Sequence, residues 1–366
     1  MVSPKQFITE LKAAGVDYFV GVPDSLLKDV LSYIEENVPR TQHITAANEG
    51  NAIAIAAGYN LATGKVPCVY LQNSGLGNAV NPLASLADQE VYSVPMLLVI
   101  GWRGEPDTKD EPQHKKQGRI TPALLDALEI PYTTDLSKID EMVEFAVKDS
   151  SPVALLVQAG AFEAHIGKVP TSLLTCTREA AIEEILAAIE PEAIVVSTTG
   201  KISRELYEVR GRRGEPVRDF LTVGSMGHAN QIALGIALQK PNRPVYCIDG
   251  DGATLMHLGG LATVSWTAPK NFKHIVLNNL AHESVGGQPS AAAVIDIPAA
   301  AKALGYVSAS SVDTKEAIAP AVQAMGTGPS LLEIRVNLES RKDLVRPKET
   351  PLENKESFIK HLNGTN

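Results

Sequence analysis

A chain of 366 residues has room for two domains, or three small ones, each burying a full core. Its net charge of -9 argues against a nucleic-acid-binding protein, which carries a basic excess or a basic face, while 44% hydrophobic and 20% charged residues make a globular composition. No apolar run approaches the roughly 18 residues that cross a bilayer, Cys68, Cys176 and Cys247 lack the paired spacing of disulfides or zinc sites, and the N-terminus has no signal-peptide core, so we expect a cytoplasmic protein without a membrane partner.

In chain order, Tyr18 to Val20, Pro67 to Leu71, Met96 to Ile100 and Val153 to Val157 are strand candidates that alternate with helical patterns, which predicts an open, mainly parallel sheet. Asp24 and Ser25 fall in the loop after the first of these, where Asp24 is equally a helix N-cap and a site carboxylate. The run Ile44 to Ala52 passes into an Ala/Ile-rich helix predicted to reach Leu61, with Gly64 as its stop. Glu49 in its first turn complements the helix dipole on the plainest reading. Gln72-Asn73-Ser74-Gly75-Leu76-Gly77-Asn78 follows a strand as a Gly-rich turn. The long polar segment from Arg103 to Arg119 has the length of a lid and contains Lys109, His114, Lys115 and Lys116 interleaved with Asp107, Asp110 and Glu111. On composition alone it is also an ordinary solvated loop.

From His165 to Cys176 the Gly, Pro and Ser/Thr content without periodicity predicts a linker, giving domains at 1–165 and 179–366 with 166–178 between them. The alternation restarts with strands near Ala193 to Val196, Val245 to Ile248, Lys273 to Leu277 and Ser330 to Val336, so a second α/β domain is expected. The turn Val223-Gly224-Ser225-Met226-Gly227-His228-Ala229 presents Met226, which by itself reads as a core residue. The strand ending at Ile248 delivers Gly250-Asp251-Gly252 to its tip, Ala253 leads into a helical pattern that ends at Thr267, and the next strand brings Asn278 and Asn279 to the same edge. A carboxylate, an amide oxygen and a main-chain carbonyl there are hard ligands for Mg2+, or Mn2+, beside phosphates at a helix N-terminus. His282 and Glu283 follow, with Gly286 and Gly287 next to them.

The spacing of 25 residues, 253 to 277, between Gly-Asp-Gly and the Asn pair resembles the diphosphate motif of thiamine diphosphate (ThDP) enzymes. That resemblance implies Asp251, Asn279 and the carbonyl of Ala281 as metal ligands, and cofactor contacts at Gly250, Gly252, Ala253, Gly75 and Asn78. It also implies Glu49 on the pyrimidine N1', the carbonyl of Gly224 on the 4'-amino group and Met226 as the wedge that bends the cofactor. Leu76 stands where relatives often have Pro, and Leu280 where Gly is expected after the Asn pair. Two domains with no middle domain resemble the small decarboxylases acting on 3-phosphonopyruvate or 3-sulfopyruvate, with Gly21 to Lys28, Ala47 to Ala52, Gln72 to Pro82, Asp110 to Gly118, His282 to Pro289 and Arg346 to Phe358 nearer the phosphonate branch.

The implied reaction releases CO2 and phosphonoacetaldehyde from 3-phosphonopyruvate through a ThDP ylid and an enamine. Glu49, Asp24 and His114 are then the expected catalytic residues. Ser25, Arg103, Lys109, His114, Lys115, Lys116 and His282 are expected to face a small anionic 2-oxo acid. The family also implies a homodimer or higher oligomer with sites at subunit interfaces. Sulfopyruvate decarboxylase is the alternative of the same chemistry. A non-catalytic module of nucleotide-binding type is the alternative of another class, and it leaves Glu49 unexplained.

Overall fold

The computed structural model describes residues 1–167 and 173–364, so positions 168–172 of the predicted linker lie outside the described residues. The chain divides into two compact units, residues 1–169 with 282–288, and residues 170–281 with 289–366. In the first, the strands are β1 (Phe19–Gly21), β2 (His43–Thr45), β3 (Cys68–Gln72), β4 (Met96–Gly101), β5 (Tyr132–Thr133) and β6 (Pro152–Val157). They pair in the order β2-β1-β3-β4-β6-β5, every pairing parallel. β4 and β6 are buried along their whole length, as the central strands of a sheet covered on both faces must be. Successive residues alternate between the faces: Leu97 and Val99 join one buried cluster with Phe7, Leu11 and Phe19, while Leu98 and Ile100 join another with Val20 and Ile53.

The second unit repeats this plan. Its strands are β7 (Ile194–Ser197), β8 (Phe220–Leu221), β9 (Val245–Gly250), β10 (Phe272–Asn278), β13 (Ser308–Val312) and β14 (Ser330–Arg335), while the separate small pair β11 (Ala281–His282) and β12 (Gln288–Pro289) flanks the segment 282–288 that groups with the first unit. The main sheet runs β13-β14-β10-β9-β7-β8, again all parallel. Counting each main sheet's strands from one to six, both read 2-1-3-4-6-5. Val195, Ile248 and Ile275 pack on one face and Ile194, Cys247 and Val276 on the other. Two α/β domains with parallel sheets and no middle domain are therefore what this sequence builds. Among the described residues no helix is long and apolar enough to cross a membrane.

The helix of Glu49 runs Glu49–Thr63, capped by the Asn48 side chain on the Asn51 amide and closed by Gly64 at φ 72°. Two expectations are corrected. The helical pattern up to Thr267 is two helices, Asp251–Met256 and Gly260–Thr267, because Gly259 and Gly260 lower helix propensity and any Cβ on Gly260 would press on the Gln231 side chain. The polar segment from Arg103 to Arg119 is loop only to Glu111; Pro112 then starts the helix Pro112–Ala127, since proline at the first helical position forfeits no hydrogen bond.

Candidate active site

In open parallel sheets the functional crevice forms at the C-terminal strand ends where the strand order reverses. The reversal lies between β1 and β3 in the first unit and between β7 and β9 in the second. Every site residue expected from the sequence, apart from those of the charged segment's helix and the β11 turn, follows one of these strand ends or a neighbour's.

In the first unit, the stretch after β3 forms a short turn, Asn73–Gly75, that feeds the helix Leu76–Ser85. Its polar side chains tie the other loops together. Gln72 Nε2 donates to Asp24 Oδ1 at 2.5 Å, Ser74 Oγ donates to Gln72 Oε1 at 2.6 Å, and Asn78 Nδ2 donates to Glu49 Oε2 at 2.8 Å. Asn73 Nδ2 donates to the Arg103 carbonyl at 2.8 Å and its Oδ1 accepts from the Arg103 amide at 3.1 Å. Gly75 is required here, because a Cβ would run into Glu49 Oε1.

Glu49 is buried, and that burial raises its pKa against the hydrogen bond from Asn78. A carboxyl group with raised proton affinity, packed against a glycine, fits a ring nitrogen that must be held protonated. Asp24 is fully buried, and its pKa is likewise raised by burial against hydrogen bonds from Gln72 and the Leu26 amide and the charge of Arg103. It is not an N-cap, since the helix Lys28–Asn37 is preceded by Leu27 and has no side-chain cap.

The loop after β4 turns its charges inward. Arg103 donates from Nε to Asp110 Oδ2 at 2.8 Å, from Nη2 to Asp110 Oδ1 at 2.5 Å, and from Nη1 to Ser25 Oγ at 2.6 Å. His114 Nδ1 lies 2.9 Å from Asp110 Oδ1. Asp24, Ser25, Arg103 and His114 thus share one cluster, whereas Lys109, Lys115 and Lys116 are exposed and stand outside it. Asp110 is the residue that sequence reasoning missed, because its charge was one of many in a mixed run. The signal available was its spacing of four to His114 across a helix start.

In the second unit, Asp251 is the first residue of its helix and is buried; Ser290 Oγ donates to its Oδ2 at 2.5 Å, and burial pushes its pKa up to about 6. The register pairs Leu277 with Gly250, so the next residue, Asn278, comes alongside Asp251. Asn278 spends its side chain on structure, donating to Glu333 Oε1 at 2.7 Å and accepting from the Leu280 amide at 3.0 Å. Asn279 and Ala281 are buried beside it, the Asn279 Oδ1 accepting from the Ala281 amide at 3.2 Å. A buried carboxylate disfavoured as an anion, next to amide oxygen, fits a small divalent cation with hard ligands. Leu280, in the place of the expected Gly, keeps a left-handed backbone at φ 63°.

After β8, Gly224, Ser225 and Gly227 all take positive φ, at 74°, 48° and 84°, and the Gly224 amide donates to Thr199 Oγ1 at 3.1 Å. This turn projects Met226, which is half-buried and belongs to neither buried cluster of its unit, so the core reading of Met226 fails. Gly250, Gly252 and Ala253 surround Asp251 in sequence at the strand-to-helix junction. His282, within the segment that groups with the first unit, has its pKa pushed down to about 4 by burial. Ser290 and Thr199 were not legible in the sequence, as each acts through a partner far along the chain.

Residues 3–128 match the profile of the thiamine pyrophosphate enzyme N-terminal TPP binding domain, and residues 198–334 that of the C-terminal TPP binding domain. A phosphonopyruvate decarboxylase of Streptomyces viridochromogenes is 38% identical over 96% of this chain and 93% of its own, and one of Streptomyces hygroscopicus 37% identical over 96% and 92%. A sulfopyruvate decarboxylase of Methanosarcina acetivorans is 30% identical over 93% of this chain and 92% of its own. The chain therefore belongs to the thiamine diphosphate-dependent enzymes, in the two-domain decarboxylase branch that holds these relatives.

Proposed function

We propose that this decarboxylase converts 3-phosphonopyruvate to phosphonoacetaldehyde and CO2. The observation that carries the reading is identity of 37% and 38% to two phosphonopyruvate decarboxylases along nearly the whole chain. Thiamine diphosphate, when bound, would supply a carbon nucleophile and a sink for the electron pair left as CO2 departs. The chain's residues do the rest. Glu49 holds the proton at the pyrimidine N1', with Asn78 and Gly75 fixing its carboxylate. The Gly224 carbonyl and Met226 support the bent cofactor. Asp251, Asn279 and the Ala281 carbonyl hold Mg2+, while Gly250, Gly252 and Ala253 allow the diphosphate close to the backbone.

Asp24 and His114 are the proton-transfer groups assigned to the substrate, and burial raises the proton affinity of Asp24. Ser25 and Arg103 bind the charged tail, with His282 as a further contact, while the exposed Lys109, Lys115 and Lys116 would reach the substrate only by a movement of their segment. The pyrimidine and diphosphate contacts sit on different domains, which in this family meet across a subunit interface, so the working form is a homodimer or larger assembly in the cytoplasm.

CO2 release from 3-phosphonopyruvate, sulfopyruvate and pyruvate, measured with ThDP and Mg2+, tests this reading. The highest kcat/KM is expected for 3-phosphonopyruvate. A higher value for sulfopyruvate would transfer the assignment to the sulfonate substrate, with which the relative that is 30% identical agrees.

A further inference from the structure

We propose that Asp110 is a positioning residue whose carboxylate aims the Arg103 guanidinium at the anionic tail of the substrate, making the Asp110–Arg103 pair the determinant that favours a charged-tail 2-oxo acid over an uncharged one. The inference rests on the decarboxylase reading above.

Asp110 accepts from five donors: Arg103 Nε and Nη2, the Gly104 amide at 2.7 Å, the Glu111 amide at 2.7 Å, and His114 Nδ1. A carboxylate offers about four lone-pair sites, so this one is saturated and has nothing left for substrate or for proton transfer. Burial disfavours its charge, yet the bonds from Arg103, His114 and the two amides hold it well below the usual carboxylate range. It is a fixed anion.

Arg103 is held just as firmly. Its backbone N–H and C=O are both bonded by the Asn73 side chain, and the loop behind it packs closely on the helix Pro112–Ala127, where a Cβ on Gly104 would strike the His114 carbonyl and one on Gly118 the Gly104 carbonyl. Three of its five N–H groups are used, by Asp110 and Ser25. Two remain, one on each Nη. Both belong to a guanidinium held by Asp110 and Ser25, and Ser25 is next in sequence to the buried Asp24. Because Asp110 offsets the guanidinium charge, recognition depends on directed N–H groups that match a tetrahedral oxyanion, not on net charge alone. Lys109, Lys115 and Lys116 lack any such fixing and stay exposed.

The test uses the holoenzyme with ThDP and Mg2+ saturating, comparing wild type, Asp110→Asn and Asp110→Glu on 3-phosphonopyruvate and pyruvate. In Asp110→Asn the ratio of kcat/KM for 3-phosphonopyruvate to that for pyruvate is expected to fall at least about tenfold, mainly through KM, with Asp110→Glu intermediate. A residue that only stabilised the fold would lower both substrates alike and leave the ratio in place, which overturns the inference. Should Asp110→Asn not fold, judged by loss of a ThDP-dependent melting shift, Asp110→Glu decides alone: it keeps the charge but displaces the fork, and an unchanged ratio overturns the inference equally. Wild type that releases no CO2 from 3-phosphonopyruvate sinks the underlying reading instead.

Discussion

Glu49, Asp24 and Asp251 are three carboxyl groups that folding removes from water, and in each burial raises the pKa. Burying a carboxyl group is unfavourable unless a partner recovers the loss, which makes these positions candidates for function. Glu49→Gln keeps the size and an oxygen for Asn78 but cannot exchange a proton. Hydrogen–deuterium exchange at the C2 of bound ThDP is expected to slow at least about 100-fold in this variant while the cofactor still binds; exchange at the wild-type rate would contradict the role given to Glu49. Leu280 is the other telling residue. At φ 63° its side chain strains a backbone that glycine would accept freely. Between Leu280→Gly and Leu280→Ala, which both discard the side chain, the glycine variant is expected to be the more stable by about 1 kcal/mol in urea unfolding. Alanine equal or better would show that the turn relaxes.

β4 and β6 were legible as near-continuous apolar runs of six residues, too short for a buried helix, that fit a strand covered on both faces, and β9, β10 and β14 as shorter apolar stretches, such as Val245 to Ile248 and Ile275 to Leu277, within the same strand-helix alternation. β5 and β8 have two residues each, too short to show a period, and β13 is the polar edge run Ser308–Val312. The charged segment concealed a helix because its first turns, Pro112 to Gln117, carry no apolar face. Candidate site residues that end a long strand or open a helix, such as Asp251, Asn279 and Glu49, were readable; Asn73 and Asp110, which bond Arg103, Thr199, which bonds the Gly224 amide, and Ser290, which bonds Asp251, were not, since what identifies them is a contact formed only by folding.

β2 also carries a pH response. His43 Nε2 lies 2.8 Å from the Tyr70 hydroxyl and its Nδ1 is 3.3 Å from Glu35, itself disfavoured as an anion by burial. Burial lowers the His43 pKa from 6.5 to about 4. The neutral ring is the folded form, so its contribution is complete above about pH 6.5 and is lost as pH falls toward about 4. That amounts to roughly 3 kcal/mol for a single fully coupled group. Urea midpoints for wild type should drop more between pH 7 and pH 4.5 than those for His43→Gln; parallel profiles would remove His43 as the cause.

At the scale of the molecule, one wiring plan occurs twice, with no short repeat in the sequence to announce it. The loop after the second strand carries Glu49 in one unit and the Met226 turn in the other, both assigned to the pyrimidine. The loop after the third carries Gln72 to Asn78 in one and Asp251 in the other; after the fourth come Arg103 and Asn279. The shared topology supplies equivalent loop positions, and under the proposed function one unit provides the proton chemistry and the other the metal clamp. On that reading, Glu49 of one subunit and Asp251 of another would grip opposite ends of one thiamine diphosphate.

Co-expression of Glu49→Gln and Asp251→Asn chains tests it most directly, with CO2 release from 3-phosphonopyruvate as the readout. Each variant alone is expected to be nearly inactive. In a random mixture half the dimers combine the two chains and have one intact site of two, so activity is expected to return to about a quarter of wild type. Activity that stays at the level of the separate variants would contradict the claim.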